Sequence, residues 1–152
     1  RQVTLEGMRI LAAEDNDINR EILTEILTGY GAVVTPAVNG REAVDIFSKS
    51  PVSAFYVILM DIQMPVLDGY EAAKRIRAMN RPDSGTVPIL ALTANAFKNE
   101  AEQAKESGMN DVVTKPLDVN LLLQKLSALE TEPPGTNSGT DTKKGKSQEE
   151  TV

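Results

Sequence analysis

The chain has 152 residues, 41% of them apolar, which is the length of one ordinary domain and enough for a single buried core. Its 16 basic and 22 acidic residues leave a net charge of −6, with no Lys/Arg-rich run inside the core segment, so direct contact with nucleic acid is not expected. With no Cys and no His there is no disulfide framework, thiolate or imidazole chemistry, and no run approaches the roughly 18 apolar residues of a membrane span.

Residues 1–7 read as a connection from something upstream, without a signal-peptide pattern, and a cytoplasmic domain is expected. From there, five short apolar runs rich in Val, Ile and Leu alternate with helix-period segments, near 9–13, 32–35, 55–60, 88–92 and 111–114. Runs of that length without strict alternation fit strands covered on both faces, and the repeat is that of βα units.

The first run is followed by Glu14 and Asp15. Asn16 or Asp17 can cap the helix after them and Gly29 can end it, with Ile18, Ile22 and Ile26 recurring at fours as the stripe expected to dock on the sheet. Asp61 follows the third run and opens a loop that reaches Gly69; Thr93 follows the fourth. The segment 97–107 has small inward candidates, Phe97 apart: Ala101 and Ala104. It therefore buries the least apolar area and is expected to be the loosest element. Lys115-Pro116 follows the fifth run, Asp118 can cap the last helix, and Val119, Leu122, Leu123, Leu126 and Leu129 form its apolar stripe. From Glu130 the composition turns polar, with Val152 the only apolar residue after Leu129, so 130–152 reads as a tail or linker and 8–129 as the domain.

If the runs are parallel strands of one sheet, their carboxyl ends lie together, and the polar residue after each projects into the crevice where open α/β sheets bind ligands. Glu14, Asp15, Asp61, Thr93 and Lys115 then converge. Clustered carboxylates resist full ionisation unless a hard cation such as Mg²⁺ sits between them. Such a site suits phosphoryl transfer to Asp61, with Lys115 and the Thr93 hydroxyl sharing the charge on the transferring oxygens.

The stretches ILAAEDN at 10–16, LMDIQMPVLDG at 59–69, PILALTA at 88–94 and GMNDVVTKP at 108–116 together resemble the response-regulator receiver domains of two-component signalling. The wording is most similar to receivers of hybrid sensor histidine kinases. The resemblance spans about residues 8–129. It implies an α/β fold, a doubly wound five-stranded parallel sheet of flavodoxin-like (CheY-like) type with strand order 2-1-3-4-5. It also implies Asp61 as phosphoacceptor, assisted by Thr93 and Lys115, and Mg²⁺ held by Asp15, Asp61 and the Gln63 backbone carbonyl, with Glu14 acting through a water. Many receivers carry Asp where this chain has Glu14. The family's Lys-Pro bond, here Lys115–Pro116, is cis. Receivers commonly carry Tyr or Phe where Val112 stands, a ring that turns inward when the Thr hydroxyl moves.

A phosphorelay alternates His and Asp carriers, so a chain without His holds only the Asp half. The resemblance therefore implies a histidine kinase or histidine phosphotransfer domain as partner, and a parent that is a hybrid sensor histidine kinase, membrane-bound or not, rather than an enzymatic activity of this domain alone.

Single residues of the set also suit plainer roles. Asp61 also suits an ordinary turn, Glu14 and Asp15 helix-capping, Thr93 an N-cap, and Lys115 a solvated loop. Phosphohydrolases of the haloacid dehalogenase type also use a strand-end Asp, but they need a second Asp two residues on, where this chain has Gln63. A phosphate-blind pairing domain would not need the four-part site. The tail segment 139–147 narrowly misses a phosphate loop, having Thr140 where the motif requires Gly.

Overall fold

A computed structural model of the chain describes residues 5–94, 98–115 and 118–130. Five βα units follow one another: β1 (Arg9–Ala13), α1 (Asp17–Gly29), β2 (Val33–Ala37), α2 (Gly40–Lys49), β3 (Val57–Asp61), α3 (Gly69–Arg77), β4 (Ile89–Thr93), α4 (Lys98–Glu106), β5 (Asp111–Thr114) and α5 (Val119–Glu130). All neighbouring strands pair parallel, in the order β2-β1-β3-β4-β5. The doubly wound sheet implied by the motifs is the sheet observed.

The period-two pleat divides the apolar runs between two cores. Leu11, Ile58, Met60, Ile89 and Ala91 pack on one face with Ala43 and Phe47 of α2 and Ala72, Ala73 and Ile76 of α3. Ile10, Val57, Leu59, Leu90 and Leu92 pack on the other with Leu23 and Leu27 of α1 and Leu122, Leu123 and Leu126 of α5. β3 and β4 are buried along their whole length, which is why their sequences show no alternation. β2, at the edge, is half exposed and tolerates Pro36 there.

Two local expectations are corrected. The α1 stripe that docks is Leu23 and Leu27; Ile18 and Ile22 are 68% and 48% exposed, and Ile26 is half-buried. Both stripes have four-residue spacing, and only the register of the helix on the sheet distinguishes them. Gly29 ends α1, as expected, with Tyr30 its cap, and the left-handed position after the helix belongs to Gly31, at φ +100°. Leu5, placed by the sequence in the lead-in 1–7, is fully buried, and its N–H donates to the Tyr30 carbonyl, so the packed core reaches upstream of residue 8.

Asn16 caps α1 by accepting from the Asn19 N–H, and Asp118 accepts from the Leu121 N–H, as expected of each. Phe97, the Lys115–Pro116 bond, the tail beyond 130 and the near-miss segment 139–147 lie outside the described residues, as does the Leu129 side chain. No helix among the described residues is long and apolar enough to cross a membrane.

Candidate functional site

Asp61 is the last residue of the central strand β3, and Thr93 ends β4 beside it. Glu14 and Asp15 follow β1 directly, and Lys115 follows β5. The pleat sorts them further: Glu14, Asp61 and Lys115 continue the alternation of Ala12, Leu59 and Val113, on the α1/α5 side, whereas Thr93 continues that of Ile89 and Ala91, on the α3/α4 side. Acids and amine therefore meet at once. The hydroxyl starts from the opposite side.

The Lys115 ammonium donates to Asp61 Oδ2 at 2.9 Å and sits 3.0 Å from Glu14 Oε1. Glu14 is 2% exposed, with its second oxygen accepting from the Asn16 N–H at 3.1 Å, while Arg20 holds the Glu14 carbonyl at 2.9 Å. The longer Glu arm thus folds back and reaches the amine. Asp15 is exposed, yet Glu14, Asp15 and Asp61 each offer an oxygen within 4.8 Å of the others. Three carboxylates facing one ammonium leave negative charge over, and an all-oxygen set of this kind fits a hard divalent cation.

Burial pushes the Asp61 carboxyl up from 3.8 to about 6; the hydrogen bond from Lys115 opposes that rise and the Glu14 charge adds to it. Lys115 is itself partly buried, which disfavours its charge, but its bonds to Asp61 and Glu14 outweigh this and hold it above the usual lysine range.

Backbone packing fixes Asp61. Gly69 N–H donates to the Ile62 carbonyl, and a Cβ on Gly69 would collide with the Asp61 carbonyl. Gly40, at the start of α2, donates to the Leu67 carbonyl, and a Cβ there would collide with that same carbonyl. The loop between β3 and α3 is thus wedged between two helix N-termini, with Asp61 Oδ1 accepting from the Gln63 N–H at 3.2 Å. Val66, at its tip, is 72% exposed with φ +71°, a rare conformation for a β-branched residue.

Two openings flank the cluster. A partly open one of about 370 Å³ lies against α1, lined by Glu14, Asn19, Ile22, Leu23, Ile26 and Lys115 among others. The other, about 550 Å³ and open, runs toward α4 past Asp15, Gln63, Asp68, Tyr70 and Glu100. Glu100 and Tyr70 went unnoticed in the sequence. Thr93 Oγ1 donates to Glu100 Oε1 at 2.6 Å, and Tyr70 OH donates to the Glu100 carbonyl at 3.4 Å. An acid in the first turn of a helix is ordinary, so nothing in the sequence marked Glu100.

Comparison with known proteins agrees with this geometry. The model of the response regulator receiver domain matches residues 10–127. The hybrid signal transduction histidine kinase I of Dictyostelium discoideum is 40% identical over 121 residues, covering 78% of this chain and 7% of that protein; other curated relatives are likewise matched over a small part of their length, 12% for the sensor histidine kinase RcsC of Salmonella typhimurium. Among solved structures, the receiver domain of a Pseudomonas aeruginosa sensor histidine kinase, with magnesium coordinated in its active-site cleft, superposes with a TM-score of 0.74 at 36% identity, covering 83% of this chain and 99% of that one. The receiver domain of Saccharomyces cerevisiae Ssk1, solved with the histidine phosphotransfer protein Ypd1, gives 0.72 at 32% identity, covering 86% and 94%. Strand order, strand-end chemistry and these matches agree: the chain belongs to the response regulator receiver domain family and is most like the receivers of hybrid sensor histidine kinases.

Proposed function

We propose that Asp61 is the phosphoacceptor of this receiver. A buried carboxylate, shifted up to about 6 yet still mostly ionised at neutral pH, sits at the end of the central strand against an ammonium; that juxtaposition carries the reading. In the reaction an Asp61 oxygen forms a bond to phosphorus while the P–N bond of a phosphohistidine breaks, the imidazole nitrogen leaving with the electron pair. Lys115 stays paired with the negative charge throughout, and Thr93 supplies a hydroxyl donor from β4. Mg²⁺ fits Glu14, Asp15 and Asp61, with the Gln63 carbonyl as a further oxygen, and when bound it supplies positive charge to the phosphoryl oxygens.

The donor is another domain or protein, a histidine kinase or histidine phosphotransfer domain, because this chain has no His. The exposed Ile22 lines the opening beside Lys115, and Ile18, on the same helix, is exposed too; such apolar groups near the mouth of a charged site suit a protein donor. The parent is a hybrid sensor histidine kinase, and the domain works in a compartment supplied with ATP, such as the cytoplasm, without turning over a substrate of its own. Intact mass after exposure to acetyl phosphate and Mg²⁺ tests the assignment. One added phosphoryl group is expected in the native chain and none in Asp61→Asn; equal labelling of both removes Asp61 from the role.

A further inference from the structure

The Thr93 hydroxyl is 2.6 Å from Glu100 Oε1. A carboxylate only accepts, so the hydroxyl donates, and a hydroxyl has one proton to give. The pleat explains the pairing: Thr93 follows Ile89 and Ala91 toward α3 and α4, away from the side on which Asp61 meets Lys115. Glu100 lies in the first turn of α4, and the Tyr70 hydroxyl of α3 reaches its carbonyl. Burial, with the Glu100 and Asp68 charges added to it, holds the Tyr70 phenol above its usual range, so Tyr70 remains a donor. The entry to α4 is therefore tied to the end of β4 and to α3 by polar contacts.

We propose that Glu100 is a positioning residue that holds the Thr93 hydroxyl in the resting domain, and that a phosphoryl group on Asp61 competes with Glu100 for the one hydroxyl proton. The proposal rests on Asp61 as acceptor. When Thr93 donates to a phosphoryl oxygen, the Glu100 carboxylate loses its partner on β4 and is left in the open cleft it shares with Asp15 and Asp68, beside a group that has just gained negative charge. The first turn of α4 is then freed. Its core anchor among the described residues is a single buried alanine, Ala104, so little apolar area resists the change. The signal passes from phosphate to α4 through one exchanged proton, without a large side chain sweeping through the core.

The test titrates beryllofluoride with Mg²⁺, an acyl-phosphate mimic, into the native chain, Glu100→Ala, Glu100→Gln, Thr93→Val and the Thr93→Val/Glu100→Ala double variant. Hydrogen exchange is followed over residues 98–106. Removing the competitor in Glu100→Ala is expected to tighten mimic binding about 3- to 10-fold, the net worth of one such hydrogen bond. Glu100→Gln, whose amide oxygen still accepts, should fall between the two. In the Thr93→Val background the gain from Glu100→Ala should vanish, which a merely structural role would not produce. Protection over 98–106 should drop on mimic binding in the native chain and be low from the start in Glu100→Ala. Equal affinity of native and Glu100→Ala, or an undiminished gain without the Thr93 hydroxyl, would overturn the proposal while leaving the acceptor intact. Absence of mimic binding by the native chain, together with failed acetyl phosphate labelling, would overturn the acceptor and this proposal together.

Discussion

Helices α4 and α5 flank the same edge of the sheet but are held by opposite means. α5 buries Leu122, Leu123 and Leu126, each worth about 2 kcal/mol by apolar area, whereas α4 buries Ala104, worth well under half as much. Polar ties make up the difference: Glu100 and Tyr70 at the entry to α4, and at its exit Arg77, which donates to the Gly108 carbonyl at 2.9 Å, the Ser84 carbonyl at 3.2 Å and Asn110 Oδ1 at 3.0 Å. A helix fixed by area has no reason to respond when one charge changes. A helix fixed by hydrogen bonds that share donors with the site responds as soon as a donor is taken.

The sharpest way to break this contrast is to delete apolar area on each side. Leu126→Ala should cost about 2–5 kcal/mol in urea unfolding, and Ala104→Gly only about 1 kcal/mol. Comparable losses would mean that α4 is anchored as firmly as α5. Next in size is Arg77→Ala, expected to cost about 1–3 kcal/mol because carbonyls paired with a half-buried guanidinium lose their donors. Exchange should rise across 104–110 more than across α5. Arg77→Lys should restore little, since one ammonium cannot reproduce the planar fork; full rescue would point to charge alone.

Acid provides the third probe, on the side of the site shared with α1 and α5. The carboxyl of Asp61 in the metal-free fold titrates at about 6 against 3.8 in its ordinary state, so the folded chain binds the extra proton first. Its ionisation therefore costs stability, fully above about pH 6 and not at all below about pH 4, and the metal-free chain should gain on the order of 1–2 kcal/mol as pH falls from 7 to 4. Asp83 and Asp111 are held low against the effect of burial by bonds from Arg81 and Lys125, and their opposite contributions are lost only below 3.8. Asp61→Asn should flatten the profile between pH 4 and 7; an unchanged slope would place the titration elsewhere.

The smallest effect concerns Val112. It packs half-buried against the α2/α3 core and, being β-branched, has one favoured rotamer and no ring to sweep a volume. Introducing Val112→Tyr should enlarge the exchange response of 109–115 to beryllofluoride, while the response of 98–106 stays close to native. Strong native changes across 109–115, no smaller than in the Tyr variant, would show that β5 carries the signal after all.

Much of this was legible in the sequence because strands announce their ends. The apolar runs located all five strands to within two residues, and the polar residue after each run located the acids, the hydroxyl and the amine. What stayed hidden depended on rotation or distance. In α1, Ile18/Ile22/Ile26 and Leu23/Leu27 share one spacing, and only docking decides which stripe is buried. The Glu100 bond to Thr93 and the Arg77 bridge to Gly108 join residues whose proximity is created by the fold, seven and 31 positions apart. No local pattern encodes either.

The two glycines that wedge the loop between β3 and α3 have a genetic consequence. A loss-of-signalling screen should recover substitutions at Gly40 and Gly69 beside those at Asp61, although neither glycine carries a reactive group. Cellular abundance would separate the classes. An amide at position 61 removes a costly buried charge and leaves the chain at least as plentiful as before, whereas a methyl at either glycine forces backbone oxygens apart and should send the chain to degradation. A deep mutational scan that records protein level together with signalling would thus tell apart alleles that silence a well-folded receiver from those that deplete it.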